Sequence, residues 1–287
     1  MAGPWAATLP PRGFAAIRAA GFDPVGRVRG TGSYHVELSG ETWNWHAYDC
    51  RLSVTAPRNP KDPAPIRLSG AGATSEVLVQ VLEGSRRRAL ERLRAACSAL
   101  GGHGVVGVQV NIAPSEVASL GMDFQASGTA VRARGVSGPV ARPFVSHLPG
   151  EDLTKLVLAG WVPVDLLVGR SIGVRHEDAS IHDQLRAATN QELDGWTALL
   201  TGIRADARTR LLRQAREHGG DGILLDAGEI TVHEHPCAAK LLSPGHQEPT
   251  DRVAQCLLIG TTLTPFTPTP PGPSPSPSSP CATAGPG

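Results

Sequence analysis

From Ser85 to Leu100 apolar residues recur at spacings of three and four, at Ala89, Leu90, Leu93, Ala96, Cys97 and Leu100. That is the period of a helix with one buried stripe. Gly101 and Gly102 end it, because glycine accepts the left-handed conformation that a helix C-terminus needs. At Val106, Val108, Val110 and Ile112 the period drops to two, which predicts a strand with one face buried. The stretch from Phe124 to Val131 reads as the strand that returns beside it. Val25 to Val36 reads as an earlier strand, entered through Pro24 and interrupted by Gly30 and Gly32, where a bend or bulge is expected.

The second half repeats this order. Leu193, Trp196, Leu200, Ile203, Ala207 and Leu211 form a helical stripe, and Gly219 and Gly220 stop it. Ile223 to Val232 and Cys256 to Leu263 supply two strands. Matching blocks support a duplication. Ala20-Gly21-Phe22-Asp23-Pro24-Val25 is answered by Ala159-Gly160-Trp161-Val162-Pro163-Val164, and Gly101-Gly102-His103-Gly104 by Gly219-Gly220-Asp221-Gly222. A third pair sets Ser127-Gly128-Thr129-Ala130-Val131 against Ile259-Gly260-Thr261-Thr262-Leu263. The expected fold is α+β: two tandem β-α-β-β domains, each a long helix packed on a small, mainly antiparallel sheet. The boundaries fall at residues 13–135 and 143–266. Residues 267–287, rich in Pro and Ser, have almost nothing to bury and are expected to be a disordered tail.

Composition adds little direction. A chain of 287 residues with 40% hydrophobic and 18% charged residues fits globular domains of ordinary size. A net charge of +1 gives no broad field for nucleic acid. Arg86, Arg87, Arg88, Arg92 and Arg94 make one helix basic, which reads as a solvated face. No apolar run approaches the ~20 residues of a membrane span, and Met1 to Gly13 lacks the pattern of a secretory signal. A cytoplasmic location is expected. The five cysteines are widely spaced, without a C-x-x-C pair, and read as reduced thiols.

Two groups of residues could carry chemistry. His233, His235 and Cys237 alternate onto one face of a strand, opposite Ile230 and Val232, so two imidazoles and a thiolate could converge on a soft or borderline ion such as zinc, copper or nickel. His246 follows in the next loop. Pro236 interrupts that strand, and the same alternation equally describes a solvent-facing edge. The second group lies between Gly40 and Gly72, where Trp43, Trp45, His46, Tyr48, Asp49 and Cys50 concentrate. A loop this long and aromatic packs on a neighbour or lines a pocket. His46 and Cys50 could serve there as metal ligands, or with Asp49 as a nucleophile and its base. His35, His103, His147, His176, His182 and His218 have no partner at useful spacing, and exposed or capping roles suffice for them. The turn Gly101-Gly102-His103-Gly104 follows a helix and precedes a strand, the reverse of a phosphate-cradling loop. No G-x-S-x-G, Walker or H-E-x-x-H pattern occurs.

The run from Ala96 to Val108, with the strand Ser127 to Val131, resembles the YbjQ-like family, whose name refers to heavy-metal binding. The second half departs from the pattern at Gly222-Ile223-Leu224-Leu225 and Gly260-Thr261-Thr262. The resemblance implies a β-α-β-β subunit, and relatives with one such domain assemble as pentameric rings. The function expected is therefore a non-enzymatic, oligomer-forming binding or scaffold protein that captures a metal ion or small ligand. The competing expectation is an enzyme with a Cys/His site where the two copies meet.

Overall fold

A computed structural model describes residues 9–35, 71–74, 76–114, 121–177, 179–226, 228–236 and 250–266. The first half begins with helix α1 (Pro11–Ala19), strand β1 (Phe22–His35) and the short strand β2 (Ala71–Thr74). Helix α2 (Glu76–Ala99) and strands β3 (Gly104–Pro114) and β4 (Gly121–Ala133) follow. A connecting stretch carries β5 (Phe144–Val145) into α3 (Gly150–Leu158) and β6 (Trp161–His176). The second half continues with α4 (Ala179–Arg186), α5 (Asp194–Glu217), β7 (Gly222–Leu225), β8 (Glu229–Pro236) and β9 (Thr250–Pro265).

The fold is α+β with two mainly antiparallel sheets, larger than the pattern of apolar residues predicts. The first runs β1-β4-β3-β5 and the second β2-β6-β9-β7, with β8 also paired to β9. Two short strands account for the extra width. β5 adds to β3 in parallel, opposite Gly104 and Val105. β2, which precedes α2 in sequence, pairs with β6 of the second sheet instead of its own, at Ala71↔Arg175 and Thr74↔Gly173. Runs this short carry no periodicity to read. The expected single strand from Ile223 to Val232 is instead two, β7 and β8, which pair with successive parts of β9.

The bulge expected at Gly30 and Gly32 lies elsewhere. The β1–β4 register shifts between Pro24 and Gly26 and then runs unbroken to His35. Proline has no N–H for the ladder, so the irregularity sits beside it. Gly30 and Gly32 serve close approach: a β-carbon at either position would run into the backbone carbonyl of Ala89 or Ser85 on α2. Glycine does end both long helices, with Gly101 at φ 65° and Gly219 at φ 70°.

Alternate residues of each strand serve different layers. Val105 and Val108 join Val28, Phe124, Ala126 and Ala130 under Ala89, Leu90, Leu93 and Cys97 of α2. Val106 and Val131 face the other way, against Ile17 of α1 and Leu153 of α3. In β6, Leu166 and Val168 enter the core that contains α2. Leu167 turns to Leu211 and Ala215 of α5. Helix α2 therefore shares its core with both sheets, while α5 covers the opposite face of the second sheet through Leu199, Ile203 and Ala207. The α5 stripe is wider than the sequence spacing implies: Leu199 is buried beside Ile203.

Candidate functional site

The residues His233 and His235 lie in β8, paired across the ladder with Val253 and Asp251. His233 is exposed. Ile230 packs with the cluster under α5, so strand alternation assigns both histidine positions to the opposite face of the sheet. Cys237 and His246 lie outside the described residues, as do His46, Cys50, the Trp43 to Cys50 loop and the tail from residue 267. Among the described residues no three His, Cys, Asp or Glu side chains converge where they could hold a metal ion.

Beside β8 the structure has a groove that sequence reasoning missed. Trp196, Leu199 and Leu200 of α5 form one wall, Val232 and Arg252 the other, around a volume of about 260 Å³. The Arg252 guanidinium lies 4.6 Å from the centre of the Trp196 ring, a cation–π contact, and pairs with Glu234. The indole N–H of Trp196 is buried without a hydrogen-bond acceptor among the described residues. A concave apolar lining of this kind is where small ligands usually bind. Trp196 was legible only as part of a helical stripe; the register that sets Val232 and Arg252 beside it was not.

A second concentration of polar groups sits where the halves meet. The β6 register shifts between Pro163 and Asp165, and Asp165 ends up buried. Its carboxylate pairs with Arg94 of α2 and Arg142 of the connecting stretch. Oδ1 also accepts the N–H of Leu166 at 2.8 Å. His218, the C-cap of α5, brings Nδ1 within 3.2 Å of Oδ2. Burial lowers the His218 pKa; Asp165 opposes this, and Arg142, Arg86 and Arg94 add to it. In the tautomer with Nδ1 unprotonated, Nδ1 accepts from Arg142 at 3.2 Å; in the other, it donates to Asp165. Nearby, Thr261 Oγ1 meets His147 Nδ1 at 2.7 Å and Ser146 Oγ at 3.1 Å, fastening the connecting stretch to β9. Burial lowers the His147 pKa, against the opposing charge of Asp226.

These contacts correct two expectations. His103, His147 and His218 do have partners: His103 is buried, accepting the N–H of Ala133 at Nδ1 and meeting the Gly138 carbonyl at Nε2. The basic helix is only partly a solvated face, since Arg94 reaches Asp165 and Arg86 is held by Glu83 at 2.7 Å. Side chains far apart in sequence supply most of these partners, so no local spacing reveals them.

Arg170 on β6 is the third feature. It is 9% exposed, and Nη2 donates to Gln255 Oε1 at 2.6 Å. Nη1 is buried without a partner among the described residues, and burial lowers the Arg170 pKa to about 10. The adjoining recess, lined by Leu82, Ile112, Phe124 and Val168 among others, measures about 10 Å³, room for about one water. The described cysteines are structural: Cys97 and Cys256 are both buried and free. Burial raises the Cys97 thiol to about 11, against a smaller lowering by the Gly104 backbone; its Sγ lies 3.3 Å from the Gly104 carbonyl oxygen.

Residues 66–134 match the model of the YbjQ-like family, described as "Putative heavy-metal-binding". Over 217 residues the chain is 27% identical to an encapsulin nanocompartment protein of Mycobacterium tuberculosis, covering 74% of this chain and 72% of that protein. No solved structure matches. No helix among the described residues is long and apolar enough to cross a membrane.

Proposed function

We propose that this chain, with its YbjQ-like segment, is a non-enzymatic, self-associating scaffold that captures a small ligand. The observation that carries the scaffold reading is the unequal stacking of the halves. Helix α2 shares its core with both sheets, whereas α5 lies on the far face of the second. A two-fold pairing would treat the two helices alike; a head-to-tail stack does not, and such contacts continue from copy to copy unless a ring closes. Similarity to a protein named for a nanocompartment supports the same reading.

For capture, the groove between α5 and β8 is the favoured place. It has volume and an apolar lining. A soft metal ion is the second reading, favoured by the alternation of His233 and His235 along β8 and by Asp251 opposite His235. It also requires Cys237. Native mass spectrometry of protein purified without a metal-affinity tag, with elemental analysis of the same sample, separates these readings. An assembly without stoichiometric metal supports the groove. Zinc, copper or nickel lost in the His233→Ala/His235→Ala/Cys237→Ala variant supports the metal. A single-chain mass at micromolar concentration would overturn the scaffold.

A further inference from the structure

We infer that Arg170 holds a small monovalent anion of chloride size in the recess between β6 and α2, as a structural counter-ion for the core that the two halves share. This is independent of the scaffold reading and concerns a different place from the groove between α5 and β8. In β9, Ala254 and Cys256 pack under α5, whereas Leu257 and Ile259 pack with the core around α2. Arg170 pairs with Leu257 across the ladder and follows Val168 at the strand period, so it lies on the α2 side of the sheet.

The first observation is a charge without a counter-charge. Nη2 of Arg170 is engaged by the neutral amide of Gln255, and Nη1 has no partner among the described residues. Burial pushes the guanidinium pKa down to about 10 with no carboxylate drawing it back, so the group stays charged at neutral pH. A buried cation persists only where an anion or a full set of hydrogen bonds compensates it. Elsewhere the chain follows this rule. Arg94 faces Asp165, Arg86 faces Glu83 at 2.7 Å and Arg210 faces Asp206 at 2.8 Å, with arginine side chains 14%, 14% and 7% exposed. Arg170 departs from it.

The second observation is the space beside this charge. Arg170 borders the recess of about 10 Å³, and Glu83, Ser85 and Arg86 of α2 complete the lining. Both Nε and Nη2 of Arg86 reach Glu83 Oε2, at 2.9 and 2.7 Å. Those two charges cancel, which leaves the lining with the single positive charge of Arg170. One uncompensated charge calls for a monovalent anion. Room for about one water excludes phosphate, sulfate and nucleotides by size. The apolar walls at Leu82, Ile112, Phe124 and Val168 favour an ion that gives up its hydration readily, chloride or bromide before fluoride. A water molecule would fill the same volume and leave the charge uncompensated. Because the walls come from α2, β3, β4 and β6, an anion here ties the first half to the second sheet.

The test is thermal unfolding of the full chain in sodium chloride and in sodium gluconate, each at about 100 mM and the same pH, gluconate being too large to enter. Chloride should raise the midpoint by about 3 °C or more and saturate with concentration, because a ligand that binds only the folded chain stabilises it by mass action. Bromide should act like chloride, and crystals grown in bromide should show an anomalous scattering peak beside the Arg170 guanidinium. In Arg170→Met the preference for chloride should vanish, whatever the stability of the variant itself. Equal midpoints in the two salts would overturn the site, and so would a chloride effect that Arg170→Met leaves undiminished. If the variant does not fold, the bromide crystals decide, and no anomalous peak at Arg170 overturns the proposal.

Discussion

Asp165 is a residue whose removal should be felt throughout the junction. Its side chain is 2% exposed and is shared by Arg94 and Arg142, which are 14% and 56% exposed. Breaking a buried pair from one side leaves the other charge uncompensated and costs about 3 to 5 kcal/mol. Arg142 is substantially solvated, so Asp165→Ala should fall near the lower end, read as a loss of unfolding free energy in urea. His218 and His147 make the same region sensitive to acid. Burial favours their neutral rings in the folded chain, so the unfolded chain takes up the proton first as pH falls below the ordinary histidine value of 6.5. Their contribution is therefore full above that value and is lost as pH falls through the folded pKa. The urea midpoint should drop between about pH 7.5 and pH 5.5, and less steeply in a His147→Gln/His218→Gln chain. An equal drop in both would place the sensitivity elsewhere. At Cys97, a thiol raised to about 11 should be alkylated slowly in the folded chain and rapidly in denaturant.

At the scale of elements, the long helices and the strands β3, β4 and β9 were legible because each repeats its period over several turns or residues. β2 and β5 were not. Four and two residues long, they are strands only because an edge of another strand lies beside them. Gly30 shows how a correct signal can carry the wrong cause. Its place in β1 was plain, but the reason for glycine there is the α2 backbone, which no local pattern reveals. Gly30→Ala forces a methyl group against the Ala89 carbonyl and should cost about 1 to 3 kcal/mol, as overpacking does. Leu93, whose backbone nitrogen also borders Gly30, is 0% exposed in the same core. Leu93→Ala should cost about 2 to 5 kcal/mol through lost burial and the cavity left behind. Equilibrium unfolding of both variants tests whether the α2–β1 contact is as close as the structure has it.

Across the whole molecule, the halves are joined by more than the connecting stretch. β2 crosses into the second sheet, Leu166 and Val168 share a core with α2, and Asp165 ties α2 to β6. Unfolding should therefore follow one cooperative transition, with far-ultraviolet circular dichroism and tryptophan fluorescence coincident; two separated transitions would contradict the shared core. The sequence by itself determined the α+β class, the long helices with their glycine stops, and the family resemblance, because these rest on local periodicity and short motifs. The tertiary structure alone decided that α2 lies within a core common to both sheets, that Asp165, Arg94, Arg142 and His218 meet, and that a groove opens between α5 and β8. Each of these brings together residues distant along the chain, and their meeting is set by how layers stack and strands register, a property that no window of sequence contains.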